Sequence, residues 1–218
     1  MIFVRLPFTT EQFMQVFGNY NLSVWPMQIV LYILGVIAVI LAIRPVRGSD
    51  KIITVILSFF WLWMGVVYHL IFFTEINKVA YLFGIIYIIQ SFLFLLTGVY
   101  NSDLSFNLKF DSRGFTGIIF IFYALIIYPI WGALAGHHYP NIPIFGLPCP
   151  TTIFTFGLLL WTTQRFPKYL LIIPFLWSII GFSAALNLAV YQDYGLLIAG
   201  ILGTILILLR DKKSPVTI

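Results

Sequence analysis

Seven apolar stretches, each nearly free of charge, constrain this chain more than any other feature. They lie near residues 22–43, 52–73, 79–100, 115–135, 148–163, 169–188 and 195–209, and none has Asp, Glu, Lys or Arg in its middle. A helix of about 20 apolar residues crosses the hydrocarbon core of a bilayer. Within lipid every backbone N–H and C=O must be satisfied inside the protein, so an unbroken apolar run is helical there. Barrel strands alternate polar and apolar residues, and these runs do not alternate. The expected fold is therefore all-α, a polytopic membrane bundle of seven transmembrane helices. The fifth stretch is short and opens on Pro148-Cys149-Pro150. The seventh is also short but uniformly apolar. Composition agrees: 61% of the 218 residues are hydrophobic and 9% are charged, against about 25% charged in soluble domains. A soluble globular fold, a disordered chain and a nucleic-acid-binding domain are excluded.

The net charge of +5 then becomes an orientation. Arg44, Arg47, Lys51, Lys109, Arg113, Arg165, Lys168, Arg210, Lys212 and Lys213 fall on one face if there are seven spans, and Arg5 and Lys78 on the other. Basic loops stay in the cytoplasm, which predicts the N-terminus out and the C-terminus in. The expected organisation is an interfacial amphipathic segment over 1–21, one transmembrane bundle over 22–209 and a basic cytoplasmic tail over 210–218. The first span lacks a small-residue cleavage site and is expected to be retained. Ahead of it, Thr9 and Gln12 have capping-box spacing, and Phe13, Val16 and Phe17 share one helical face.

Three histidines and one cysteine are the distinctive chemistry, and the topology directs all four toward the outer side. His69 lies in the outer third of the second span, His137 and His138 follow the fourth, and Cys149 opens the fifth. An ionisable group within a span is a functional-site candidate, although His69 near the boundary has the alternative of water or a backbone carbonyl. The segment 136–157, with its four prolines and its Ile142, Ile144, Phe145 and Leu147, is expected to fold back onto the bundle. Pro150 suits the first helical position, which would set Cys149 near the N-cap and Thr151 and Thr152 in the first turn. A thiol at a helix N-terminus is favoured as thiolate. Thiolate with imidazole suits a transition metal such as copper or zinc. Candidate metal ligands are thus His69, His137, His138 and Cys149, with Thr151 and Thr152 as candidate substrate-binding hydroxyls at a helix end that also suits an anion. No CxxC, HxxxH or HExxH spacing supports a metal, and a buried cysteine is often a small hydrophobe.

What is missing is equally informative. No lysine lies inside an expected span, which argues against a retinal Schiff base. No carboxylate lies there either, which argues against a buried acidic proton relay. Gln28, Ser58, Gln90, Ser91 and the other in-span polar residues are expected to bond between helices. Trp25, Tyr128, Trp131, Tyr139, Tyr191 and Tyr194 are expected in the outer aromatic belt, with Tyr100, Trp161 and Tyr169 in the inner one. Trp61, Trp63 and Trp177 lie deeper, where packing is the first expectation and a pocket the second. Gly132 with Gly136, Gly181 with Ala185, and Ala199 with Gly203 are small-residue steps for close helix approach.

At GLPCPTTIFTFGLLLW (146–161) the chain resembles a family of uncharacterised prokaryotic multi-pass integral membrane proteins, of the domain-of-unknown-function type sometimes loosely labelled permease. FGNYN (17–21), WLWMGVVYH (61–69) and PKYLLIIPFLWSIIGFSAAL (167–186) carry the same resemblance. It covers nearly the whole chain and implies a prokaryotic cytoplasmic (inner) membrane, but it supplies no catalytic residues. Three functions remain open. One is a small permease-like protein binding a metal ion or small solute in an outer-facing vestibule. The second is a non-catalytic membrane subunit or scaffold that docks a partner through the loop 136–152. The third is a membrane oxidoreductase with haem held by His69 and His137 or His138. The lipid bilayer is the expected partner, nucleic acid is not, and a homo-oligomer or membrane-complex partner is left open.

Overall fold

The computed structural model describes residues 6–213; Arg5 and residues 214–218 of the expected tail lie outside the described residues. The described residues form nine α-helices and no strand, with only two isolated bridges, Phe106 to Thr162 and Phe145 to Leu147. Helix α1 (Thr10–Ser23) opens on the expected capping box: Thr9 Oγ1 accepts from Gln12 N at 3.2 Å, and Gln12 Oε1 accepts from Thr9 N at 2.9 Å. Its apolar stripe faces protein, and Tyr20 and Asn21 are fully buried. Pro26, which has no N–H to continue a helix, sits at the junction where the chain turns 87° into α2 (Met27–Ile43).

Five helical segments are long and apolar enough to cross a membrane: Ser49–Glu75, Ala80–Tyr100, Ser112–Leu134, Tyr169–Leu188 and Tyr191–Lys212. The α1–α2 pair makes a sixth if the bent pair counts as one span. The first contains α3 (Ser49–Trp63) and a π-helix over Met64–Phe72. The second contains α4 (Ala80–Phe94) and a π-helix over Leu95–Tyr100. The third joins α5 (Ser112–Phe122) to α6 (Tyr128–Leu134) through a π turn over Tyr123–Ile127. That turn ends two residues before Pro129, which has no N–H to donate and whose ring would clash with a regular ladder.

The fifth expected span differs most from expectation. Helix α7 (Pro148–Leu160) has 13 residues, which at 1.5 Å each is about 20 Å, short of the roughly 30 Å hydrocarbon core. Every residue of α7 except Cys149 is buried. An apolar surface all round is what a helix enclosed by other helices requires. It touches α5, α9 (Tyr194–Lys213) and α8 (Tyr169–Leu188). Against α5 the approach is backbone to backbone: a Cβ on Gly117 would stand 2.8 Å from Gly157 O, and one on Gly157 would stand 3.0 Å from Gly117 O. Two glycines not singled out by spacing thus make one backbone-to-backbone seam, and Gly65 with Gly84 make another. Gly136 of the expected GxxxG step has nothing within 4 Å of a built Cβ and instead adopts φ +93° in the turn after α6.

Several in-span polar groups bond between helices, as expected, while Ser178, Ser183 and Asn187 donate to carbonyls of their own helix. Ser58 and Ser91 hydroxyls lie 2.8 Å apart, Gln90 Nε2 donates to Leu170 O at 3.0 Å, and Trp61 Nε1 donates to Thr155 Oγ1 at 3.1 Å. Two aromatics expected in the belts are buried: Tyr128 is 1% exposed and Trp161 3% exposed. Trp161 Nε1 donates to Gly114 O at 3.0 Å. At one end of the bundle the basic segments meet. Leu108 N bonds Ala42 O at 3.0 Å, Asn107 N bonds Trp161 O at 2.9 Å, Thr163 N bonds Ser105 O at 2.9 Å, and Arg210 Nη1 bonds Thr162 O at 2.8 Å. Lys168 pairs with Asp211 beside them.

Candidate functional site

The opposite end holds the site. The segment 136–147 folds back onto the bundle, with Phe145 fully buried against Phe60, Tyr32 and Phe154. Asn21 Nδ2 of α1 clamps it, donating to Pro140 O at 2.6 Å and Ile142 O at 2.8 Å. Tyr20 donates to Gly146 O at 3.1 Å and accepts from Trp63 Nε1 at 2.8 Å. Gly146 has φ +98°, a left-handed conformation that favours glycine. A Cβ there would also stand 2.5 Å from Leu31 Cδ1.

A cavity of about 130 Å³ lies between α1, the π-helix over Met64–Phe72, α8 and the first turn of α7. Its walls are chiefly apolar and rich in aromatic rings, among them Phe13, Phe17, Tyr68, Phe73, Phe83 and Trp177. The π geometry explains part of this. An i→i+5 ladder spreads consecutive side chains less widely around the axis than an α-helix does, and here Tyr68 and His69 both face inward, 2% and 0% exposed. Their rings meet edge to face at 5.1 Å.

The polar floor is made by Tyr128, Cys149 and Asp193. Asp193 comes from the short turn Tyr191–Asp193. Helix α8 ends at Ala189 with φ +57°, and Asp193 N bonds back to Val190 O at 3.0 Å. Tyr123 donates to Gln192 O at 2.6 Å and pins the turn to the third span. The turn is too tight to carry its acid into water, and Asp193 is only 4% exposed. The Tyr128 hydroxyl donates to Asp193 Oδ1, and Cys149 and the Trp177 indole line the cavity beside them. Gly181 completes this corner: a Cβ there would lie 3.5 Å from Cys149 Sγ and 3.6 Å from Trp177 Nε1.

The structure separates the residues singled out by sequence. Cys149 lines the cavity. Helix α7 starts two residues earlier than expected, with Leu147 as N-cap and Pro148 as its first residue, so Cys149 is the second helical residue. His69 lies behind the wall. Its ring is enclosed by Tyr68, Phe73, Phe83, Tyr87 and Trp177 at centroid distances of 4.7 to 6.0 Å. Both its ring nitrogens lack a hydrogen-bond partner among the described residues. His137 lies outside the cavity; its pKa lies below the usual 6.5 because partial burial disfavours the cation, with His138 adding repulsion. His138 is exposed. Thr151 accepts from Gly146 N at 3.1 Å and Thr152 faces the Tyr87 hydroxyl, so neither lines the cavity. Among the described residues no three His, Cys, Asp or Glu side chains are grouped to hold a metal ion.

Asp193 was not among the candidates: it lies between the sixth and seventh expected spans, outside both, and the structure buries it all the same. The signal was present in the link between the last two apolar runs. Only a few residues join Leu188 to Gly195, so an acid there follows the helix ends into the protein. Tyr68, Tyr128 and Trp177 gave no such signal, because an inward aromatic in a span reads as packing until a cavity is seen beside it.

Five long apolar helices make this an integral multi-pass membrane protein in a bilayer environment. No curated protein and no solved structure matches the chain. A family model described as a family of unknown function, DUF6064, matches residues 10–217. Since that match runs from the first residue of α1 past the end of α9, the chain belongs to the DUF6064 family.

Proposed function

We propose that the protein is a small permease-like binder that holds a small solute in an outer-facing vestibule. The observation that carries this reading is a mainly apolar cavity rich in aromatic rings, with Asp193, Tyr128 and Cys149 forming a polar floor. Such a shape, apolar walls with a few convergent polar groups, is the usual form of a ligand site. Its volume of about 130 Å³ is close to the roughly 150 Å³ that admits benzene in a protein interior. A solute is favoured over a metal ion because potential metal ligands are not grouped. A haem macrocycle needs several times this volume, and His69 and His137 face different surroundings. The outer loop contributes Phe145 and Leu147 to the protein interior, which favours a vestibule over a docking arm.

The proposed topology has seven transits, with α7 as a short interior one, the N-terminus out and the C-terminus in. The meeting of the basic segments at one end supports it through the positive-inside rule. The membrane is proposed to be the cytoplasmic membrane of a prokaryote. Two experiments test the reading. On a Cys149→Ser background, Arg47→Cys should be labelled by impermeant maleimide only from the cytoplasmic side, and His138→Cys only from the outside; the reverse pattern refutes the orientation. Purified protein should show saturable thermal stabilisation by at least one solute of benzene size or smaller, and none across a broad panel refutes the vestibule.

A further inference from the structure

We infer that the occupant of the cavity is a small organic cation, a primary alkylammonium or a close relative; this rests on the vestibule reading above. Asp193 is 4% exposed, its hydrogen-bond donor is the neutral hydroxyl of Tyr128, and Cys149 lines the cavity with it. The ion pairs among the described residues join Arg113 to Asp111, Lys168 to Asp211 and Arg210 to Asp211, all at the far, basic end. Among the described residues no Lys, Arg or His lines the cavity. A carboxylate in such surroundings is left without compensating charge, and buried charges are normally paired.

The walls point to the same ligand class. Tyr68, Phe73, Phe83 and Trp177 present aromatic rings around the space, and the faces of aromatic rings attract cations. An anion meets both a carboxylate and ring faces of the wrong sign. A bare calcium or magnesium ion needs about six oxygen ligands, and the floor offers a carboxylate and a phenol. An alkylammonium satisfies every part of the site: its charged head reaches Asp193, and its alkyl body packs on the rings.

The experiment uses the full-length protein in lipid nanodiscs with two probes of nearly equal size, tert-butylammonium and tert-butanol, at matched ionic strength. Cys149, the single cysteine of the chain, reports occupancy through its rate of alkylation by N-ethylmaleimide, with the thermal unfolding midpoint as a second readout. The expected result is saturable protection by tert-butylammonium, slowing alkylation at least tenfold, with a higher midpoint and no comparable effect of tert-butanol. Asp193→Asn should remove the preference. The wild-type comparison decides the matter even if that variant does not fold. Equal effects of both probes would overturn the cation assignment and leave a neutral-solute vestibule standing. No effect of either, by both readouts, would overturn the cation assignment and count against the vestibule itself.

Discussion

The clamp between α1 and the outer loop is open to a quantitative test at Asn21. This residue is 0% exposed, and its Nδ2 donates to Pro140 O and Ile142 O at 2.6 and 2.8 Å. Asn21→Ala strands both carbonyls, at about 1–3 kcal/mol for each buried polar group left unpaired. Part of this is offset. Asn21 Oδ1 has no partner in the folded protein, so its removal relieves one penalty of the same kind. With two groups stranded and one relieved, the net destabilisation is about 2 kcal/mol. Asn21→Asp keeps the volume but turns the donor into a charged acceptor facing two carbonyls, and it should cost more than Ala. The assay is thermal unfolding in detergent followed by circular dichroism, with hydrogen exchange at residues 141–147 as the local readout. Ala should lower the midpoint and speed exchange in that loop, and Asp should do both more strongly. If Asp is tolerated as well as Ala, or if Ala leaves exchange unchanged, the clamp is not what holds the loop.

Gly157→Val inserts a branched side chain where the α5 backbone is 3.0 Å away; overpacking of this kind should cost about 1–3 kcal/mol, measured by the same melt, whereas Gly136→Ala should be limited by its positive φ alone. Arg210→Gln removes the charged donor to Thr162 O and Oγ1 and should loosen the end of α7, read as faster exchange at 161–164; Arg210→Lys should rescue it only in part, since a lysine lacks the planar fork. His137 gives a pH dependence. Its pKa is lowered on folding from 6.5, first by burial, so the unfolded chain takes up the proton more readily. Stability should therefore be full above about pH 6.5 and fall as the pH drops below it. A melt series from pH 7.5 to 5 should show a smaller fall for His137→Asn than for wild type, and identical slopes would refute the assignment.

Much of the architecture was legible in the sequence because its causes are local. Long apolar runs, a capping box at Thr9–Gln12 and in-span polar residues that need partners follow from hydration and hydrogen bonding within a few residues. The return of 136–147 onto the bundle was legible for the same reason, since four large apolar residues in a loop have to find cover. The length of α7 was not, because a helix sheathed by α5, α8 and α9 satisfies its surroundings without matching the bilayer. Nor was the fate of Tyr128 and Trp161, whose period and hydropathy are those of a belt residue.

The sequence by itself determined that this chain belongs in a membrane as a helical bundle, and that its charges gather between the helices, because the cost of burying charge and bare backbone in lipid leaves no other solution. Tertiary structure alone decided which of the few reactive side chains meet. It set Cys149 beside Asp193, Tyr128 and Trp177, enclosed His69 in aromatic rings, and left His138 at the surface. Those pairings depend on a π-helix that turns Tyr68 inward, a tight turn that draws Asp193 under cover and two glycines that let α7 into the centre. Each is a relation between segments far apart in the chain, and spacing within one segment carries no record of it.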